Sequence, residues 1–195
     1  MKRYAIALSA VILAMPASLP SHDAQGKAGQ PLFADMKMAM YKADRGTMLE
    51  RLIQGVPANP ARLDRQTQCL AQAIYFEARG EPLEGQLAVG QVVMNRVESD
   101  AYPDTTCEVV FQNEGLRHRC QFSFACDGKS DRPRDWQAWN TASRVAIIAR
   151  SASWRDLTRQ ATHYHASYVS PYWSAKMHQT AEFGLHRFFR AGASK

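Results

Sequence analysis

Residues 69–82 read Cys69-Leu-Ala-Gln-Ala-Ile-Tyr-Phe-Glu77-Ala-Arg79-Gly80-Glu81-Pro82. Leu70, Ala73 and Ile74 recur at the spacing of one helix face, and Glu77 falls on that same line. An acid therefore stands where the pattern asks for an aliphatic side chain. The spacing predicts a helix from Arg65 to Arg79, capped by Asp64 and ended by Gly80 at C′ with Pro82 beyond it. At that end two effects oppose ionisation of Glu77: desolvation disfavours the charged form, and the negative end of the helix dipole lies close by. A carboxyl group held partly protonated near neutral pH is what a general acid requires. The competing assignment is structural, with Glu77 paired to Arg79 or turned outward.

Working outward, Leu83, Leu87, Gly90, Val93, Met94 and Val97 mark one buried face of a second helix over 83–97. Glu84 suits the first turn of that helix, where its charge complements the dipole, and Gly85 and Gly90 permit close helix approach. Tyr102-Pro103 breaks the pattern, and a short helical turn is expected over Thr105 to Phe111. A third long helix runs from Pro133 or Arg134 to Ala152, with Trp136 and Trp139 assigned to the core together with Trp154. The alternation of Thr162-His163-Tyr164-His165 and of Gly184-Leu185-His186-Arg187-Phe188-Phe189 predicts strands, and Phe122-Ser123-Phe124 is a candidate to complete a small antiparallel sheet. The fold class is α+β, mostly helical.

The chain has 195 residues, 46% of them hydrophobic and 22% charged, which excludes a wholly disordered chain and a multi-span membrane protein. Lys2 and Arg3 precede an apolar run from Ala5 to Met15, so residues 1–24 read as a secretory signal peptide. No stable membrane span is expected after its removal, and the protein is expected to be periplasmic or secreted. Residues 25–63 read as a lead-in segment and linker, with Met36-Lys-Met38-Ala-Met40 as one short amphipathic helix and 55–60 as the linker. The informative domain covers residues 64–191. Losing the signal would leave 22 basic against 17 acidic side chains. A basic exported protein fits an anionic extracellular polymer better than nucleic acid.

Cys69, Cys107, Cys120 and Cys126 form an even set, and an exported chain meets an oxidising compartment where disulfides persist. Four cysteines allow three connectivities, none selected by sequence alone. The favoured pairs are Cys120 with Cys126 and Cys69 with Cys107. Without a Cys-x-x-Cys pair, zinc on these cysteines is disfavoured.

The segments Ile74-Tyr-Phe-Glu-Ala-Arg-Gly-Glu-Pro82, Gly85-Gln-Leu-Ala-Val89 and Val92-Val-Met-Asn-Arg-Val97 resemble the SleB/CwlJ cell wall hydrolase family, the spore-cortex-lytic enzymes and their Gram-negative relatives. Later pieces agree in order: Tyr102-Pro103, Val109-Val-Phe-Gln112, Gln121-Phe-Ser-Phe124 with Asp127-Gly128, Ala161-Thr-His-Tyr-His165, Pro171-Tyr-Trp173 and Gly184 to Phe189. The resemblance spans about residues 67–189. It implies a lysozyme-like or lytic-transglycosylase-like fold, action on peptidoglycan, and Glu77 as the catalytic acid/base, with no cofactor or metal. In that chemistry one carboxylate serves twice. It protonates the glycosidic oxygen between N-acetylmuramic acid and N-acetylglucosamine, then accepts a proton from the attacking muramyl 6-hydroxyl. Ordinary hydrolysis wants a second carboxylate, for which Glu81 is the nearby candidate.

Amide, hydroxyl and aromatic side chains suited to sugar rings are Gln86, Asn95, Gln121, Ser123, Tyr164 and Trp173. Two other functional readings stand beside the glycan cleaver. A zinc N-acetylmuramoyl-L-alanine amidase would draw on His163 and His165, two apart on a strand, with His178 or His186. A noncatalytic wall-binding module would use the basic charge and exposed aromatics. A monomer is the expected state.

Overall fold

The structure is a computed structural model that describes residues 31–57, 59–116 and 120–192, with side chains from Asp35 onward. The signal-peptide reading at 1–24 lies outside the described residues. By its internal contacts the chain divides at Met38, and of the first unit only 31–38, the start of a helix, is described. The second unit begins at Ala39 and holds the rest of the fold.

Helix α1 spans Pro31–Gly55, longer than the short amphipathic helix expected there. Met36, Met38 and Met40, two apart, fan around the helix and all three are exposed, so they form no apolar face. The last turns of α1 instead bury Leu49 and Ile53 in the main core. A single 3₁₀ turn at Pro60–Arg62 then leads to α2, Arg65–Ala78. The Asp64 carboxylate caps α2 by accepting from Thr67 N at 3.1 Å. Its C-terminus departs from the sequence expectation: Gly80 is not left-handed, and Glu81 N bonds Ala78 O at 2.9 Å in an ordinary turn. Pro82 stops the helix, because the residue before a proline is driven out of the helical region.

Helices α3 (Leu83–Val97), α4 (Thr106–Val110) and α5 (Trp136–Arg150) follow, and α2 packs against all three. Leu70, Ala73, Ile74 and Leu87 are fully buried in the shared core. Gly90 lets α3 close onto its neighbours, since a Cβ there would lie 3.0 Å from Ile74 Cδ1 and 3.3 Å from Ala149 Cβ. Disulfide Cys69–Cys107 ties α2 to α4, and closing this long loop contributes about 4 kcal/mol on the chain-entropy model. The second bridge is Cys120–Cys126.

Trp139 is buried, but Trp136, expected in the core, is 65% exposed. It is the first residue of α5, at the open end of the helix. Trp154 is half-buried against the core.

The sheet comprises β1 (His163–Ala166), β2 (Met177–Phe183) and β3 (His186–Ala191) in the antiparallel order β1-β3-β2. Its third strand is therefore β2, not Phe122-Ser123-Phe124. Those residues do alternate in burial, but the six-residue spacing of Cys120–Cys126 closes them into a 3₁₀ turn at Ser123–Cys126. The two-residue turn Gly184-Leu185 joins β2 to β3, with Gly184 at φ 54°. A second, smaller core of Ala78, Ala88, Val89, Val92, Ala161 and Phe188 seats the sheet against α2 and α3. This packing carries β1 to the C-terminal end of α2. Among the described residues no helix is long and apolar enough to cross a membrane.

Candidate active site

Glu77 occupies the last turn of α2, continuing the buried line of Leu70, Ala73 and Ile74. It is partly buried, and burial pushes its carboxyl above the ordinary glutamate value of 4.5. One hydrogen bond from β1 opposes the shift: Tyr164 Oη donates to Glu77 Oε2 at 3.3 Å. Among the described residues no ion pair reaches Glu77. Arg79, the partner that a structural role would have used, instead donates to Tyr75 O at 3.3 Å and lies over the Tyr75 ring, 5.0 Å from its centroid.

On one side Glu77 opens into a cleft of ≈ 390 Å³ between the end of α2 and the 123–134 loop. Phe76 and Phe124 stack in its wall with centroids 4.7 Å apart, and Ser123 is exposed at its lip. The loop adds Lys129, Arg132 and Arg134, with Asp127 and Asp131 between them. Asp127 is engaged locally, accepting from Lys129 N at 2.8 Å and meeting Lys129 Nζ at 3.6 Å. Burial, then the neighbouring carboxylates Asp127 and Glu114, raise the Asp131 carboxyl. The loop is held by Tyr75, whose hydroxyl accepts from Arg134 N at 3.1 Å and Asp135 N at 3.0 Å.

Glu81 is placed differently from the second-carboxylate expectation. Its side chain is 10% exposed and lies outside the cleft lining. Oε2 accepts from Leu185 N at 2.9 Å, so the acid latches the β2–β3 turn to the end of α2. His186 Nδ1 is 3.6 Å from Oε1, too long for a hydrogen bond, and burial holds that imidazole below its ordinary value. The contact is a weak attraction to a neutral ring. A Cβ on Gly184 would collide with Glu81 Oε2, so this turn demands glycine by contact as well as by φ.

The other expected groove residues divide. Ser123 lines the cleft, and Tyr164 touches Glu77 from below. Gln86 is buried, donating to Glu81 O at 3.0 Å, while Asn95 donates to Thr158 Oγ1 at 3.0 Å and Ala161 O at 2.9 Å. Both amides therefore brace the backbone and lie outside the cleft. Trp173 packs on the rings of His163, His165 and Phe189, at 5.3, 5.5 and 5.6 Å. The two histidines do share a face, as the strand period requires, but Trp173 covers it. Among the described residues no three of His, Cys, Asp and Glu gather as metal ligands.

Arg96, in the last turn of α3, is not among the groove residues expected from sequence. It is 3% exposed, donates from Nε to Thr162 O at 2.7 Å, and places its guanidinium 5.3 Å from the Tyr102 ring centroid. With its amide turned to satisfy both sides, Gln121 Oε1 accepts from Arg96 at 3.0 and 3.2 Å. Arg96 thus ties α3 to Thr162, just before β1, and to Gln121, two residues before the cleft loop. Its signal was present: it follows Val92 and Val93 on the buried face of α3, as Glu77 follows Ala73 and Ile74 on α2.

The chain belongs to the Cell Wall Hydrolase family, which it matches over residues 80–189. Within that family it is of the SleB type. It is 31% identical over 121 residues to a spore cortex-lytic enzyme of Oceanobacillus iheyensis, covering 62% of this chain and 40% of the relative. The corresponding enzyme of Bacillus subtilis is 29% identical, covering 61% and 35%. The chain thus spans well under half the length of these relatives. The catalytic domain of the Bacillus cereus SleB protein superposes with a TM-score of 0.53 at 30% identity, covering 64% of this chain and 89% of that one. The catalytic domain of the germination-specific lytic transglycosylase SleB from Bacillus anthracis gives 0.52 at 28%, covering 69% and 100%. The fold is therefore the lysozyme-like fold of SleB catalytic domains, in agreement with the expected α+β class.

Proposed function

We propose that the protein is a lytic transglycosylase that cuts peptidoglycan between N-acetylmuramic acid and N-acetylglucosamine, with Glu77 as its general acid and base. The carrying observation is the environment of Glu77: a partly buried carboxyl, raised by desolvation, free of ion pairs among the described residues and open to a cleft. In its protonated form Glu77 donates to the glycosidic oxygen, and that bond breaks as the leaving N-acetylglucosamine hydroxyl forms. The resulting carboxylate takes the proton of the muramyl 6-hydroxyl as that oxygen closes on the anomeric carbon. The product is a 1,6-anhydro end and the acid is restored. Tyr164 holds the carboxylate in place, and Ser123 with the Phe76–Phe124 stack offers a hydroxyl and an apolar face to the sugar.

A second reading, hydrolysis to reducing ends, rests on the cleft carboxylate Asp131 as the base that activates water, in place of Glu81. Mass spectrometry of soluble muropeptides decides between them. Anhydro-muramyl ends are expected; reducing ends would assign a muramidase, and free stem peptides would sink both readings.

We also read residues 1–24 as an export signal, 25–63 as a lead-in and 64–191 as the hydrolase domain, acting as a monomer in the periplasm or outside the cell. Two disulfides fit that oxidising setting.

A further inference from the structure

Away from the Glu77 cleft, two adjoining hollows of ≈ 310 and ≈ 350 Å³ share Lys42, Arg45, Leu157, Glu182 and Phe183 and form one groove. It runs between α1, the 154–159 loop and β2, and has no lining residue in common with the cleft. Its floor is apolar, from Pro82, Leu157 and Phe183. Its polar groups are largely unused. Arg45 Nε and Trp154 Nε1 are buried N–H donors without an acceptor, each costly unless a ligand supplies one. Lys42, Arg155 and Arg159 also line the groove, and their side chains form no ion pair with a described residue.

The acids there are mostly spoken for. Asp156 accepts from Thr158 N and Gln160 N, and Glu182 meets Arg187 Nε at 3.3 Å. Glu84 alone has neither a hydrogen bond nor an ion pair among the described residues. The groove thus offers several cations, two orphan donors, one free carboxylate and an apolar floor.

We infer that this groove is an accessory site for the peptide stem of peptidoglycan. A stem carries carboxylates for Arg45, Lys42 and Trp154 Nε1, an ammonium at its diamino acid for Glu84, and methyl side chains for the floor. A glycan strand stripped of its stems keeps the lactyl carboxylate of each muramic acid but has neither the ammonium nor the methyl side chains. Lys42 and Arg45 come from α1, outside the family match over 80–189. The inference rests on peptidoglycan being the substrate.

The test is binding to insoluble sacculi by sedimentation, with Glu77→Gln as the background to prevent turnover. Intact sacculi are compared with sacculi stripped of stems by an amidase. Adding Lys42→Gln and Arg45→Gln should weaken binding to intact sacculi about tenfold, as expected for lost hydrogen bonds between charged groups, and weaken binding to stripped glycan, with its lactyl carboxylates alone, far less. Trp154→Phe, which removes the N–H donor together with part of the ring, should give a smaller loss with the same selectivity. Unchanged binding to intact sacculi would overturn the inference. So would an equal loss on both materials, which marks unspecific charge. If the double variant fails to fold, Lys42→Glu at its exposed position carries the same prediction. These arms read binding alone, so absence of anhydro products from the parent protein would sink the catalytic proposal without deciding this one.

Discussion

Glu77 and Glu81 are one helical turn apart in sequence, yet the fold treats them in opposite ways. Glu77 remains on α2 and meets one tyrosine hydroxyl, an apolar helix face and an open cleft. Glu81 lies past the helix end and is consumed by the backbone of the β2–β3 turn. Burial of a carboxyl is thus not itself the mark of chemistry. What separates the two is whether the buried acid has been given a structural partner. The Glu81 carboxylate is occupied by a backbone N–H, whereas desolvation raises the Glu77 carboxyl and leaves it facing the cleft.

The comparison can be broken by exchanging the acids one at a time. Glu77→Gln should lower sacculus solubilisation by roughly 10³-fold or more, since a positioned general acid–base supplies about 10²–10⁴. Its Tm should match or exceed the parent's, because a desolvated charge is removed. Glu81→Gln should do the reverse. Its lost charged acceptor for Leu185 N should cost about 1–3 kcal/mol, read by chemical denaturation, with turnover per folded molecule kept within a few-fold. Gly184→Ala, which strikes the same latch sterically, should destabilise the protein as well, and the damage should shrink when combined with Glu81→Ala.

Stability against pH sharpens the contrast. The folded Glu77 carboxyl is raised, so the native state keeps a proton that the unfolded chain has released. Stability must therefore fall as pH rises from about the ordinary 4.5 through the raised value. His163 and His186 act oppositely. Burial holds both below 6.5, so stability falls as pH drops from there through their folded values. In Glu77→Gln the first slope should be reduced and the second kept, which Tm measured across pH will show. The smallest effect is expected from Tyr164→Phe. Losing its hydrogen bond raises Glu77 further, so the alkaline limb of the activity profile should move to higher pH.

Much of this was legible from residue order. The Leu70–Ala73–Ile74 line located Glu77 on a buried face, and Asp64, Pro82 and the period of 83–97 set the bounds of α2 and α3. The cysteine pairs follow the pairing favoured from spacing. Elsewhere the local pattern was correct and its partner was not. Phe122 and Phe124 alternate in burial without joining a sheet, because a disulfide closes their loop. His163 and His165 share a face, which Trp173 occupies. Gln86 and Asn95 are polar residues of the kind that bind sugars, but they satisfy buried backbone carbonyls. The partners lie at other points of the chain, five residues back for Gln86, up to ten on for the histidines and 66 on for Asn95, and no local period reports them. Arg96 was the avoidable miss, a buried cation on an apolar face readable by the argument already applied to Glu77.

The account is tested most directly by following the Glu77 carboxyl itself, by carbon NMR of glutamate-labelled protein, assigned with Glu77→Gln. It predicts one carboxyl that titrates clearly above 4.5 and is missing from the variant. A Glu77 resonance titrating at or below that value would contradict the proposal that a dry, nearly unpartnered acid delivers the proton.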